Sequence, residues 1–226
     1  MLSGLVRNAG WGCTMNELEP IPTGLAGGRN RPLAVRMQAD VLKEFLRAIA
    51  RKKRAVLLDI GVPTGANVEF FFGREVKLYV EDLLEAYSRP GYSTSFNDPR
   101  ALVAGKFFRE NFKYPVDFFD GLICWDLLSY LDPEFASLFI ARVSAMMKSK
   151  SLIFALFQTR PPGGSGWIHR YRIVTEANLE RTPSDRAMSI RKIYQNRDVT
   201  QLFDGYETRR FLLMKHNLLA VIMQKY

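Results

Sequence analysis

Val56-Leu57-Leu58-Asp59-Ile60-Gly61-Val62-Pro63-Thr64-Gly65 decides the reading of this 226-residue chain. Residues 55–60 are apolar up to Asp59, the composition of a strand covered on both faces. A glycine-containing turn follows, then a short helix predicted at 67–72 and closed by Gly73. Gly61 lets the chain turn sharply at the strand's carboxyl edge, and Gly65 lets the next helix and a ligand come close to the backbone. In an open α/β sheet that edge is where ligands bind. Asp59, at the strand end, is placed to order the loop or to accept hydrogen bonds from a cationic ligand. About twenty residues later a second strand, predicted at 75–80, runs into Glu81-Asp82. A carboxylate at that position accepts the ribose hydroxyls of an adenosine. Each feature alone reads as a turn with helix-capping acids; their spacing within one β-α-β unit favours a nucleoside pocket.

Working outward, strands and helices alternate. Pro32 is expected to open a helix whose apolar stripe is Met37, Val41, Leu42, Phe45, Leu46 and Ile49, three and four residues apart. Residues 101–110 read as a helix followed by a short strand at 106–109. Further strands are predicted at 119–125 and 151–157, separated by a helix at 133–147 with Asp132 as its N-cap. This alternation predicts a mainly parallel sheet covered on both faces. After Pro161 the pattern changes. Residues 167–175 read as a separate strand, Asn196 as the cap of a short helix, and 207–214 with 218–224 as a hairpin turning at Lys215-His216-Asn217.

These residues resemble the class I S-adenosylmethionine-dependent methyltransferases. The family's hallmark is a hydrophobic strand running into an acid-x-Gly-x-Gly-x-Gly turn, matched by Asp59, Gly61 and Gly65. The resemblance covers roughly residues 35–226, including the acid after the second strand and the closing antiparallel hairpin. Phe119-Asp120-Gly121-Leu122-Ile123-Cys124-Trp125-Asp126 resembles the family's fourth strand and its exit beside the methyl-transfer site. Glu110-Asn111 stands where the family often has its adenine-contacting acid or amide. The resemblance implies an α/β Rossmann-like methyltransferase fold: a mostly parallel sheet, helices on both faces and a C-terminal antiparallel hairpin. It also implies S-adenosyl-L-methionine as cofactor, held by Asp59, Gly61, Gly65, Glu81, Asp82, Glu110, Asn111 and Trp125. One position departs from the pattern. Pro63 replaces the middle glycine and removes a backbone N–H donor.

Methyl transfer from a sulfonium needs mainly alignment, so no universal catalytic residue is expected. Asp126 is the candidate to accept a proton from an acceptor hydroxyl or amine, with a capping or loop role as the equal alternative. The expected acceptor is an unidentified molecule, with a small molecule as one option. No Asn-Pro-Pro-Tyr follows the fourth strand, so the usual sign of amino-group methylation on nucleobases or glutamine is missing. Residues 160–196 are expected to form a substrate cover carrying Trp167, His169, Tyr171 and Tyr194. His169 is read as a surface histidine, inert unless a partner makes it a base near neutral pH. His216 is read as structural. Pro63 sustains an alternative, a catalytically silent methyltransferase-like scaffold. Gly61-x-Pro63-x-x-Ala66 imitates a dinucleotide fingerprint without its middle glycine, which leaves nicotinamide cofactors as a minor reading.

Composition sets the remaining bounds. Hydrophobic residues make up 47% of the chain, enough for a well-filled core. No apolar run reaches the roughly 18 residues of a membrane span. Cys13 and Cys124 have no metal or redox spacing, and Cys124, in an apolar run, reads as a buried thiol; a cytoplasmic location is expected and no metal site. The glycine- and proline-punctuated residues 1–31 are expected to be an irregular arm or lid, and 32–226 a single domain. The net charge of +9 is concentrated in the flanks, +5 over residues 1–60 and +5 over 161–226. A solvated basic surface is the favoured explanation, and a nucleic-acid partner the less favoured one. Nucleic-acid binding would need Arg170, Arg172, Arg191, Lys192 and Arg197 to share the pocket's face.

Overall fold

The computed structural model describes residues 34–89, 92, 100–160 and 167–226. The main sheet has six strands in the order β3-β2-β4-β5-β9-β8. These are β2 (Ala55–Ile60), β3 (Val76–Glu81), β4 (Phe119–Cys124), β5 (Met147–Gln158), β8 (Tyr206–Met214) and β9 (Leu218–Lys225). β3, β2, β4 and β5 run parallel, and β9 is antiparallel to both β5 and β8. The apolar strands read from the sequence therefore lie side by side, with the C-terminal hairpin at the edge. Its turn is made by His216 and Asn217, with φ of 61° and 58°.

Helices cover both faces. On one face α1 (Asp40–Ala50) buries Val41, Leu42, Phe45, Leu46 and Ile49, the stripe expected from its spacing. Gly121 in β4 is what lets this helix sit so close. A Cβ there would lie 2.5 Å from Leu57 and 2.7 Å from Ile49. On the other face α4 (Arg100–Asn111) and α5 (Pro133–Met146) build an aromatic layer around Phe107, Phe112, Phe135 and Phe139. Asp132 caps α5, accepting from the Glu134 N–H. The short helices α2 (Gly65–Phe71) and α3 (Leu83–Ser88) follow β2 and β3.

Three local expectations are corrected. The first helix starts at Asp40 and not near Pro32, which lies outside the described residues. Residues 35–38 instead form β1 (Val35–Gln38), paired antiparallel with β7 (Asn178–Ala187) from Val35↔Arg181 to Gln38↔Asn178. Residues 106–109 are helical, because Ala104 and Phe107 bury at helical spacing within α4. The helix α6 (Asn196–Leu202) is capped one residue earlier than expected, by a reciprocal pair between Gln195 and Asp198.

A second, three-stranded antiparallel sheet has the order β1-β7-β6, where β6 (Trp167–Thr175) is the strand expected after the break at 161. β6 packs on α2, so this sheet stands beside the carboxyl ends of β2 and β4. The expected arm at 1–31 lies outside the described residues. Among them, no helix is long and apolar enough to cross a membrane.

Candidate functional site

The chain passes from β2 to β3 on one side and enters β4 on the other, so the strand order reverses between β2 and β4. Ligands of open α/β sheets bind in the crevice beyond the strand ends at such a point. Here it is bordered by the turn at 61–64. Thr64 ends the turn as the N-cap of α2, its hydroxyl accepting from the Asn67 N–H at 3.2 Å. Gly65 is the first residue of that helix, and a Cβ on it would meet nothing within 4 Å.

Glu81 lies directly across from Ile60 in the β2–β3 register, and its carbonyl accepts from the Gly61 N–H at 3.1 Å. Its carboxylate takes the Tyr114 hydroxyl on Oε1; among the described residues Oε2 has no hydrogen bond. Burial raises the Glu81 pKa, with the Tyr114 bond opposing. Asp82 is consumed by structure. It caps α3 through the Glu85 N–H at 3.0 Å and takes the Arg186 guanidinium of β7 at 2.6 Å. Glu81, not Asp82, is thus the acid left with an open oxygen beside the turn.

Asp59 is 4% exposed. Its Oδ1 accepts from the Trp125 indole N–H at 2.7 Å and its Oδ2 from the Asn67 amide at 3.3 Å. Burial pushes its pKa up to about 6 against these two bonds. Trp125 lies across the turn. A Cβ on Gly61 would come within 2.4 Å of the indole Cδ1, closer than any real contact. The glycine at 61 therefore answers to a packed indole, where the sequence reading assigned it to the sharp turn. Asn67 also donates to the Tyr171 carbonyl at 3.0 Å and accepts from the Ile173 N–H at 2.9 Å, fastening β6 to the turn.

The network continues beyond the indole. Tyr171 stacks on Trp125, with ring centroids 5.2 Å apart and planes 6° from parallel. Its hydroxyl donates to Asp126 Oδ2 at 2.8 Å, and Gln158 donates to the same oxygen at 2.6 Å. Asp126 is 2% exposed, and burial raises its pKa. His169 Nδ1 lies 3.8 Å from Asp126 Oδ2 and makes no hydrogen bond among the described residues. The expectation of a surface histidine is corrected: His169 is 8% exposed, and burial, followed by the charge of Arg181, lowers its pKa to about 3. It is neutral at physiological pH. Cys124 is a buried thiol whose pKa burial raises.

The structure joins Asp59, Gly61 and Trp125 in one contact and links Asp126 to them through Tyr171. Glu110 and Asn111 are held elsewhere, at the end of α4 on the approach to the amino end of β4. Both bond to the Tyr92 hydroxyl, and Asn111 also donates to the Phe107 carbonyl at 3.0 Å. Asn67, Gln158 and the Tyr171 partnership are absent from the sequence reading. Only the position of Asn67, three residues after a helix-capping threonine on the helix's inner side, hinted at a buried amide.

No family model and no curated protein matches the chain. Solved structures do. An S-adenosylmethionine-dependent methyltransferase from Clostridium acetobutylicum is 12% identical, covers 82% of this chain and 91% of its own, and has a TM-score of 0.48. The 1,6-didemethyltoxoflavin-N1-methyltransferase of Burkholderia thailandensis, in a structure with 1,6-didemethyltoxoflavin and S-adenosylhomocysteine bound, is 14% identical. It covers 82% of this chain and 76% of its own, with a TM-score of 0.47. A methyltransferase from Aquifex aeolicus is 12% identical over 82% and 89%, at 0.46. With its parallel β3-β2-β4-β5 core, helices on both faces and the closing antiparallel β9-β8 hairpin, the chain has a Rossmann-like α/β fold.

Proposed function

We propose that this protein is an S-adenosylmethionine-dependent methyltransferase acting on a small-molecule acceptor in the cytoplasm. One observation carries the reading: Glu81, at the point where the strand order reverses and across from the glycine turn, holds a carboxylate oxygen with no hydrogen bond among the described residues. A carboxylate there suits the two hydroxyls of a ribose. Gly65, exposed at the start of α2, has nothing within 4 Å of the place a Cβ would take.

The residues fit the two halves of such a cofactor unequally. Glu81 and Gly65 fit the nucleoside. Asp59 and Gly61, the residues expected to take the amino-acid end, are covered by Trp125, and both carboxylate oxygens of Asp59 are engaged. When bound, S-adenosylmethionine would supply an already activated methyl group, leaving alignment to the protein. No transfer step follows from the closed arrangement. Asp126, tied to Tyr171 and Gln158, holds the hairpin side of the crevice in place.

Calorimetric titration with S-adenosylhomocysteine tests the reading. Binding is expected, and Glu81→Ala should weaken it by roughly ten- to a hundredfold, the loss of one or two charge-assisted bonds. Absence of heat with the folded wild-type chain would remove it. The engagement of Asp59 by Trp125 favours a second reading, a methyltransferase-like scaffold without catalysis, which that outcome would bring forward.

A further inference from the structure

We infer that Trp125 sets the ligand preference of the crevice, so that the protein in its closed form takes an adenine nucleoside or its 5′-thioether without discriminating in favour of the amino-acid-bearing cofactor. This rests on the nucleoside placement proposed above and concerns what happens beyond the ribose. The place between the ends of β2 and β4 is filled by a side chain with three separate anchors. The indole N–H is bonded to Asp59 at 2.7 Å, one ring face is stacked on Tyr171, and an edge contact joins it to Phe154 at 5.9 Å. The indole is 3% exposed. Tyr171 cannot withdraw alone, because its hydroxyl is held by Asp126 and its carbonyl by Asn67.

An ammonium seeking Asp59 would have to take Oδ1 from the indole or Oδ2 from Asn67. A carboxylate seeking the turn meets Pro63, which has no N–H, and Gly61, whose N–H is already given to the Glu81 carbonyl. Neither end of an amino acid thus finds an unengaged partner at Asp59, Gly61 or Pro63. The nucleoside half requires none of these groups. Glu81 Oε2 and the space over Gly65 lie outside the indole's contacts.

The test compares adenosine, 5′-methylthioadenosine and S-adenosylhomocysteine by calorimetry on the full chain, with indole emission recorded in parallel. An amino-acid end that reaches free partners usually gains tenfold or more in affinity. Here S-adenosylhomocysteine is expected to bind less than about fivefold tighter than 5′-methylthioadenosine. In Trp125→Ala the ratio should move toward S-adenosylhomocysteine by about tenfold or more. Trp125→Phe, which keeps a ring in the core and removes the N–H bond, should move it in the same direction if the alanine variant does not fold. A wild-type preference above about fivefold, with unchanged indole emission, overturns the inference and leaves the methyltransferase reading standing. An unchanged ratio in both variants also overturns it. Failure of all three ligands to bind removes the nucleoside site itself, and both readings with it.

Discussion

Replacing Gly61 by alanine separates two explanations of the same glycine. The position does not need glycine for its backbone, since among the described glycines only Gly73 and Gly205 have positive φ. What it needs is room. The new Cβ would stand 2.4 Å from Trp125 Cδ1, an atom of a stacked ring and not the end of a flexible chain. The indole must therefore shift, losing its bond to the Asp59 carboxyl and its stack on Tyr171. A bond to a charged group contributes about 1.5–3 kcal/mol, an aromatic pair about 0.5–1.5 kcal/mol, and overpacking costs about 1–3 kcal/mol. Because these effects overlap, a destabilisation of about 3–6 kcal/mol is expected. In a Trp125→Ala background the clash is gone, and Gly61→Ala should cost less than about 1 kcal/mol. Urea unfolding of the four proteins, with m values compared, measures this coupling. Equal effects of Gly61→Ala in the two backgrounds would refute the argument that the indole requires this glycine.

Three further outcomes are expected. The folded pKa of Asp59, about 6, lies above its ordinary 3.8, so its contribution to stability is full at low pH and is lost as pH rises through 6. Relative to Asp59→Asn, the wild type should lose about 2 kcal/mol between pH 4 and 7 in urea titrations, and a flat difference would contradict the burial of this group. Gly65→Ala should leave stability unchanged or raise it by up to about 1 kcal/mol, because its Cβ meets only open space at a helix start. The same variant should weaken S-adenosylhomocysteine binding if the ligand approaches there, and unchanged affinity would move the nucleoside away from α2. Arg186→Gln removes the ion pairs from β7 to Asp82 and Glu85, which are partly exposed, so the global cost should be about 1 kcal/mol or less. Amide exchange should accelerate at the start of α3 and in β7, and no local change would show that these pairs do not hold the second sheet in place.

Much of the main sheet is legible in the chain because its central strands β2, β4 and β5 are largely buried on both faces and so are mostly apolar. Residues 55–60 and 119–124 show this directly, and the β8–β9 turn announces itself through Asn217. The second sheet is not legible in the same way. β7 reads Asn178-Leu179-Glu180-Arg181-Thr182-Pro183-Ser184-Asp185-Arg186-Ala187, a polar segment in which only Leu179 and Ser184 are buried. It is fastened by ion pairs that no periodicity reveals, such as Arg172 and Arg36 on Glu180. Val35-Arg36-Met37-Gln38 passed as the start of a helix because its partner lies far along the chain. At the crevice, the sequence marked Asp59 and Gly61 as special but could not say what presses on them. The body that does so, Trp125, comes from the next parallel strand, and its own support, Tyr171, from a different sheet. Asp82 and Glu81 were indistinguishable by position alone; Arg186 and the α3 cap separate them.

The pairing of β1 with β7 joins Val35 to Arg181 and Gln38 to Asn178. During synthesis the ribosome must therefore add about 140 residues before β1 can find its partner, roughly 7–30 s at usual elongation rates. Throughout that interval α1, β2, the glycine turn and β4 can assemble from local and parallel contacts, while Tyr171 and Asn67 remain unjoined. The nascent domain accordingly passes through a stage in which the indole has Asp59 but no stacking partner. β6 and β7 then close the crevice over the parallel strands already made, while the edge strands β8 and β9 of the main sheet are still to come.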